Sequence, residues 1–314
     1  MKKLLRFIIR TALVLFLLLT VITAFHAYKF THFYDAAEAP VKKEEKKSNW
    51  QVTQEILFGA KAYKQKNIMP VDSTFEKIDL STKDHIKLDC WYMKPEGTAK
   101  GTVILFHGHG SKKSAVMVES IGFRKMGYNT LLVDFRAHGS SGGNTSTIGW
   151  YETEDVTLAY DFIKEKGEKN IILWGISMGA AAVSKAMNDY HLEPSKIILE
   201  MPFASVLKAA EGRIKMMGLP GQPLATFVTF WGGAEHGFWA FNMKPSEFVK
   251  QIHCPVLLQW GRHDPRVKQE ETDLIYANIS APKKLVVYET CGHESLCEKE
   301  NGRWTATVSE FLSK

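Results

Sequence analysis

Residues 170–180, Asn170-Ile-Ile-Leu-Trp-Gly-Ile-Ser-Met-Gly-Ala180, decide the fold of this chain. An apolar run typical of a buried strand stops at Gly175-Ile176-Ser177-Met178-Gly179, and small helix-forming residues follow directly. The pattern predicts a strand, a tight turn with Ser177 at its apex, and a helix. Side chains in place of the two glycines would collide with the neighbouring strand and helix. We therefore expect the Ser177 hydroxyl at the carboxyl edge of a sheet, beside the Met178 amide at a helix N-terminus.

The segments around this turn alternate between strand and helix patterns. A predicted hairpin comes first, and a regular series follows it. The predicted strands are 75–80, 85–91, 103–106, 128–135, 196–200, 255–260 and 284–288, and the predicted helices include 115–126, 152–166 and one that ends near 190. This alternation predicts an α/β fold with a doubly wound, mostly parallel sheet over residues 74–314.

One insertion interrupts the alternation. Between Ser205 and Ile252 there is no clear strand, but the segment is rich in aromatic residues, Gly and Pro. Insertions of this length in an α/β sheet usually carry function, so we expect a small helical cap at about 206–250. The aromatic residues expected to line an apolar substrate pocket are Phe227, Phe230, Trp231, Phe238 and Trp239. Packing of these rings in an ordinary helical core is the alternative.

The N-terminus predicts a membrane anchor. Four basic residues, from Lys2 to Arg10, precede the uncharged apolar stretch Thr11–Tyr28. Residues 1–28 therefore read as a signal anchor, with residues 29–73 as stalk and lead-in. The positive-inside bias places the catalytic domain outside the cytoplasm, on a single-pass anchor. A cleaved, secreted form is the alternative, although Ala37-Glu38-Ala39 is followed by Pro40, a poor context for cleavage.

Charge gives little reason to expect a nucleic-acid partner. The net charge is +6, but residues 1–50 hold nine Lys/Arg against four Asp/Glu, and the remainder is almost neutral with 31 against 30. No basic face for nucleic acid is expected beyond the N-terminus. The sequence likewise indicates no obligate protein partner, metal or cofactor. His107 and His109 have no carboxylate or cysteine cluster beside them.

Two further strand ends supply the partners that a serine nucleophile needs. Asp264 follows the strand 255–260, and His293 follows the strand 284–288. A serine hydroxyl reacts only when a base removes its proton, and that base needs a carboxylate to fix its tautomer. His107-Gly108-His109-Gly110 follows the strand 103–106, where the His109 amide would join that of Met178 as an oxyanion hole. His263 competes as base and Glu200 as acid, and Cys291 and Cys297 are either free or bonded to each other.

Taken together, the motifs resemble those of α/β-hydrolase fold serine hydrolases, in the Bem46-like and serine-aminopeptidase-like group. Those that match in order are His107–Gly110, Asp134–Gly142, Gly175–Gly179 and Leu199–Ser205, completed by the Asp264 and His293 segments. The resemblance covers residues 74–313. It implies Ser177 as nucleophile, His293 as base, Asp264 as its orienting acid, and the His109 and Met178 amides as oxyanion hole. It does not fix the substrate.

The sequence favours a membrane-anchored hydrolase that cleaves acyl esters through an acyl-enzyme on Ser177. A serine peptidase or thioesterase of the same fold is the alternative, and a peptidase would need an acidic residue on the cap, such as Glu211 or Glu235, to bind a free amine. A catalytically silent, membrane-tethered binding protein is a hypothesis of another class. The ordered set of Ser177, Asp264 and His293 argues against it.

Overall fold

A computed structural model describes residues 1–35, 48–69 and 74–314. Its helices are α1 (Lys2–Thr31), α2 (Asn49–Phe58), α3 (Met117–Lys125), α4 (Glu152–Glu165), α5 (Met178–Tyr190), α6 (Val206–Met216), α7 (Leu224–His236), α8 (Pro245–Phe248), α9 (Gln269–Asn278), α10 (Leu296–Lys299) and α11 (Asn301–Ser313). Its strands are β1 (Phe33–Tyr34), β2 (Ala62–Tyr63), β3 (Glu76–Ser81), β4 (Lys87–Met93), β5 (Thr102–Phe106), β6 (Asn129–Val133), β7 (Ile171–Ile176), β8 (Lys196–Glu200), β9 (Val256–Gly261) and β10 (Lys283–Tyr288).

Eight strands form the central sheet, in the order β10-β9-β8-β7-β5-β6-β4-β3. Strands β5 to β10 run parallel, and β4 pairs antiparallel with both β6 and β3. The inner strands are mainly apolar because helices cover both faces of the sheet, and all residues of β5 and β9 are buried. The predicted doubly wound, mostly parallel sheet is confirmed.

The strand-to-helix turn after β7 has the predicted tight geometry. Ser177 has φ 54 and ψ −114, outside the conformations that a side chain ordinarily allows. A Cβ added at Gly179 would lie 2.2 Å from the Phe106 carbonyl oxygen, and one at Gly175 would lie 2.6 Å from the Gly179 carbonyl carbon. Both glycines are required because α5 starts directly against β5 and β7.

The predicted cap consists of two helices, α6 and α7, which pack against each other. Helix α8 returns to the body of the domain, where it packs against α5 and α9. The helical part of the insertion is therefore shorter than 206–250. Its loop back to the body contains Met243, which is fully buried.

The N-terminal helix is longer than predicted and does not stand clear of the domain. Helix α1 continues to Thr31, and Thr23, Ala27 and Thr31 are buried along one face of its final turns. This end packs against α7. Part of the expected stalk is also structured, since β1 pairs in parallel with β2. Residues 36–47 and 70–73 of the expected stalk, which include Ala37-Glu38-Ala39, lie outside the described residues.

A buried ion-pair cluster fixes the loop between β6 and α4. The Lys113 ammonium lies 2.5 Å from carboxylate oxygens of both Asp89 and Asp134 and is inaccessible to solvent. Asp134 also accepts the backbone N–H of Ser140 at 2.9 Å. Gly139 has φ 52, and a Cβ there would lie 2.2 Å from the Asp134 carboxylate. The Asp134–Gly142 motif thus wraps around one buried carboxylate.

Lys113→Ala is expected to lower the free energy of unfolding by about 3–5 kcal/mol, because it leaves the buried Asp134 carboxylate without its cation and Asp89 with only the exposed Lys77 as partner. Denaturant titration in detergent, followed by circular dichroism, measures this loss. Lys87→Ala is the matched control, since Lys87 pairs with Asp79 at 2.7 Å with both side chains about half exposed. Its loss should stay below about 1 kcal/mol. Equal losses in the two variants would contradict a structural role for the cluster.

Candidate active site

Three side chains from separate strand ends meet at the carboxyl edge of the sheet. The Ser177 hydroxyl lies 3.0 Å from Nε2 of His293, and Nδ1 of His293 lies 2.6 Å from an oxygen of Asp264. The structure therefore brings together the three residues that the sequence singled out. The distances are those of hydrogen bonds, so a proton can pass from the hydroxyl to the ring.

The Asp264 carboxylate is held in one orientation. Its second oxygen accepts the backbone N–H groups of Arg266 at 2.7 Å and Val267 at 2.9 Å. The first oxygen is left to accept Nδ1–H of His293, which keeps Nε2 of that ring unprotonated and directed at Ser177. His263, the competing base, is exposed and its backbone pairs with Cys291. It does not contact Ser177.

The two predicted oxyanion donors lie beside the serine. His109 and Met178 line the same cleft as Ser177, and a Cβ on Gly108 would be 3.5 Å from that of Ser177. The Ser177 amide is already used, since it donates to the Glu200 carbonyl at 2.8 Å. Among the described residues, the His109 and Met178 amides donate to no protein acceptor. Both are free to bind an oxyanion.

Three imidazoles pack around the loop that carries His109. Nε2 of His138 accepts the Gly110 amide at 2.9 Å, and Nε2 of His107 accepts the Phe135 amide at 3.2 Å. Burial lowers the pKa of His107 to about 3 and that of His109 well below its usual range. These rings are neutral at physiological pH and fix the shape of the loop.

Glu200, the competing acid, lies behind the site and does not contact His293. One of its oxygens accepts three hydrogen bonds, from Trp174, Trp304 and Gln259, at 3.0, 2.7 and 2.9 Å. The other oxygen has no partner among the described residues. Burial raises the pKa of Glu200 to about 8, so this group is a neutral carboxylic acid near pH 7.

The histidine loop is tied to helix α3 by a second buried carboxyl. Ser295, two residues after His293, donates its hydroxyl to Glu119. Burial raises the pKa of Glu119 to about 7. Cys291 and Cys297 are both buried free thiols, so no disulfide closes this loop. Its position rests on hydrogen bonds to α3 instead.

The cleft around Ser177 has a volume of about 340 Å³, and its lining differs from the prediction. Apolar walls come from Phe30, Ile148, Phe203, Ala209 and Val267. The rim carries charges of both signs, from Arg213 and Arg266 and from Glu294 and Glu298. Among the described residues no ion pair joins these four side chains.

The predicted aromatic lining is wrong for this cleft. Phe227, Phe230, Trp231, Phe238 and Trp239 all lie outside it. Phe227 packs edge-on against Phe16 of α1, with ring centroids 5.6 Å apart, and Trp231 faces a groove beside α1. Phe230 and Trp239 are largely exposed, while Phe238 stacks on Trp150 and borders a smaller neighbouring cavity. Helix α7 presents much of its aromatic surface to α1 because the two helices pack side by side.

Sequence reasoning missed Phe30. Phe30 lies one residue before the end of α1, and its ring lies 4.6 Å from that of His109 and 4.7 Å from the Arg213 guanidinium. The N-terminal helix thus forms part of the cleft wall. Nothing in the local sequence signals this position, since it follows from where α1 packs.

Comparison with known proteins agrees with this architecture. A family model for serine aminopeptidases of the S33 type matches residues 97–228. The Bacillus subtilis protein YqkD is 27% identical over 226 residues, covering 71% of this chain and 74% of that protein. The lysophosphatidylserine lipase ABHD12 of Xenopus tropicalis is 24% identical over 207 residues, covering 62% of this chain and half of the lipase. The Pyrococcus furiosus esterase Pf2001 superposes with a TM-score of 0.66 at 25% identity, over 80% of this chain and 98% of the esterase.

Asp264→Asn is expected to lower kcat for ester hydrolysis by about 10⁴-fold, because the amide favours the wrong tautomer of His293. Glu200→Gln is the matched control for the other candidate acid. A glutamine replaces the neutral carboxyl and keeps an oxygen for the two indoles, so kcat should change less than tenfold. Steady-state kinetics on a soluble ester decides the assignment. A greater loss with Glu200→Gln would overturn it.

Proposed function

We propose that this chain, which has the α/β-hydrolase fold and is similar to the serine aminopeptidase group, is a membrane-anchored serine hydrolase that cleaves carboxylic esters. The observation that carries the proposal is the hydrogen-bonded series from Ser177 through His293 to Asp264. It lies in a cleft large enough for a small-molecule ester.

The geometry supports an acyl-enzyme mechanism. Ser177 Oγ attacks the ester carbonyl while Nε2 of His293 takes its proton, and the imidazolium formed is stabilised by Asp264. The His109 and Met178 amides would hold the oxyanion. His293 then returns the proton to the departing alcohol. A water molecule attacks the acyl-enzyme with the same ring as base, which releases the acid and restores Ser177.

Esters are favoured over peptides by the lining and by the relatives. The inner walls of the cleft are mostly apolar, and two of the similar proteins are an esterase and a lipase by name. The carboxylates expected to bind a peptide amine lie elsewhere: Glu211 pairs with Lys208 and Lys215, and Glu235 faces the groove beside α1.

A peptidase remains the second candidate on one observation. Glu294 and Glu298 line the Ser177 cleft without ion pairs among the described residues, so they offer negative charge to a free amine. A thioesterase would use the same nucleophile on a better leaving group. The silent binding protein is the candidate of another class, and covalent labelling separates it from all three.

Helix α1 supports the proposal of a membrane anchor. It is 30 residues long with a most apolar window of mean hydropathy 2.4, of which only 6% is buried in the protein. At 1.5 Å per residue it reaches about 45 Å, more than the hydrocarbon thickness of a bilayer. We propose a single pass with the catalytic domain outside the cytoplasm. An uncleaved anchor is favoured because Phe30 lines the cleft.

A fluorophosphonate probe should label the wild-type protein, and Ser177→Ala should abolish the label because the attacking oxygen is gone. Ser195→Ala, at the amino end of β8, is the control and should label normally. Turnover of p-nitrophenyl esters should exceed that of aminoacyl-anilides. Turnover of anilides alone would favour the peptidase hypothesis over the esterase hypothesis. Absence of both labelling and turnover would favour a catalytically silent binding protein.

Alkaline carbonate extraction should leave the full-length protein in the membrane pellet, because α1 remains inserted. Protease treatment of intact cells should reach the catalytic domain if it lies outside the cytoplasm. A shortened protein in the soluble fraction would instead support the cleaved form. A full-length soluble protein would contradict both.

A further inference from the structure

A second cavity lies directly beside the Ser177 cleft, between helix α1 and the cap. Phe30, Ile148 and Ala209 line both spaces, so only these side chains lie between the two. The second cavity, called here the anchor slot, is enclosed by α1 on one side and by α6 and α7 on the other. Its lining is Ala27, Phe30, Thr31, Thr147, Ile148, Val206, Ala209, Ala210, Val228, Thr229, Gly232, His236, Phe238 and Ala240.

The lining is suited to an aliphatic chain. It consists mainly of small or apolar side chains, and five of its members are alanine or glycine. The free volume is about 30 Å³, the space of a single water molecule. The anchor slot is therefore narrow as it stands, and a longer chain must part the two helices that bound it.

Helices α1 and α7 pack side by side, and a surface groove follows their boundary. The groove has a volume of about 460 Å³ and lies between Trp231 and Glu235 of α7 and residues 20–28 of α1. The Trp231 indole N–H and the buried Thr229 hydroxyl have no hydrogen-bond partner among the described residues. Within the described part of the chain, no ion pair joins the two helices there. Their contact is mainly apolar, with a hydrogen bond between His236 and Thr31 at one end.

We propose that the anchor slot is the acyl-chain subsite, in which the chain runs from Ser177 between the anchor and the cap toward the bilayer. This inference rests on the proposed ester hydrolysis. One wall of the slot is the helix that enters the membrane, so a chain leaving the bilayer along α1 reaches Ser177 without crossing water. Each methylene buried there would improve binding by about fourfold.

Gly232 is the position from which a larger side chain can block the slot. It lines the slot from within α7, and a Cβ added there meets no atom within 4 Å. Gly232→Leu should therefore start without a backbone clash, and the rest of its side chain should take the space between α1 and α7 into which a chain would move. Gly302→Leu is the matched control: Gly302 is also helical with open space around it, but it lies in α11, away from the slot.

The test compares kcat/KM for p-nitrophenyl esters from acetate to decanoate in the full-length protein. Wild type and Gly302→Leu should gain activity with chain length. Gly232→Leu should lose at least tenfold on the decanoate and change less than twofold on the acetate. An unchanged chain-length profile in Gly232→Leu would overturn the proposal. So would an equal loss on all esters in a variant of unaltered thermal stability.

A second measurement needs no turnover and so separates the slot from the proposed function. Ser177→Ala protein is irradiated with a diazirine-bearing decanoic acid, and the attachment sites are mapped by mass spectrometry. Cross-links to Ala27 or Thr229, which are 1% and 4% exposed, support the slot and should be lost in Gly232→Leu. Cross-links confined to the outer face of α1, such as exposed Leu18, would contradict it. If the wild-type protein cleaves no ester but still shows the slot cross-links, the proposed ester hydrolysis is refuted and the chain-binding slot is not.

Discussion

The close approach of helix α5 to strands β5 and β7 is the constraint on which this site depends. Helix α5 contacts the Phe106 carbonyl at Gly179, and no side chain fits between them there. That contact forces Ser177 to φ 54 and lifts its hydroxyl above the edge of the sheet. It also brings the end of β5 beside the serine, which places the loop of His109 within reach of a bound carbonyl.

Buried polar groups hold the loops that surround Ser177. Lys113 ties the Asp134 loop on one side, and Glu119 ties the histidine loop through Ser295 on the other. Glu200 sits beneath, as a neutral acid that accepts two indole N–H groups. Asp264, and not Glu200, is the carboxylate that contacts His293.

Helix α1 forms part of the candidate active site. Phe30 lies between the ring of His109 and the guanidinium of Arg213, so the end of α1 contacts both the loop of His109 and helix α6. Phe30 also lines the Ser177 cleft, so loss of α1 would remove one wall of the site.

The sequence by itself determined the sheet, the serine turn and the three side chains that meet there. Each of the three side chains directly follows a strand. The carboxyl ends of parallel strands lie at the same edge of the sheet, so the position of each residue after its strand predicts where its side chain lies. The aromatic rings that border the cleft could not be predicted from the sequence, because they depend on how α1 packs against α7. In that packing Phe227 and Trp231 face α1, and Phe30 of α1 lines the cleft. The packing of α1 against α7 leaves no local pattern in the sequence, because it joins surfaces about 200 residues apart in the chain.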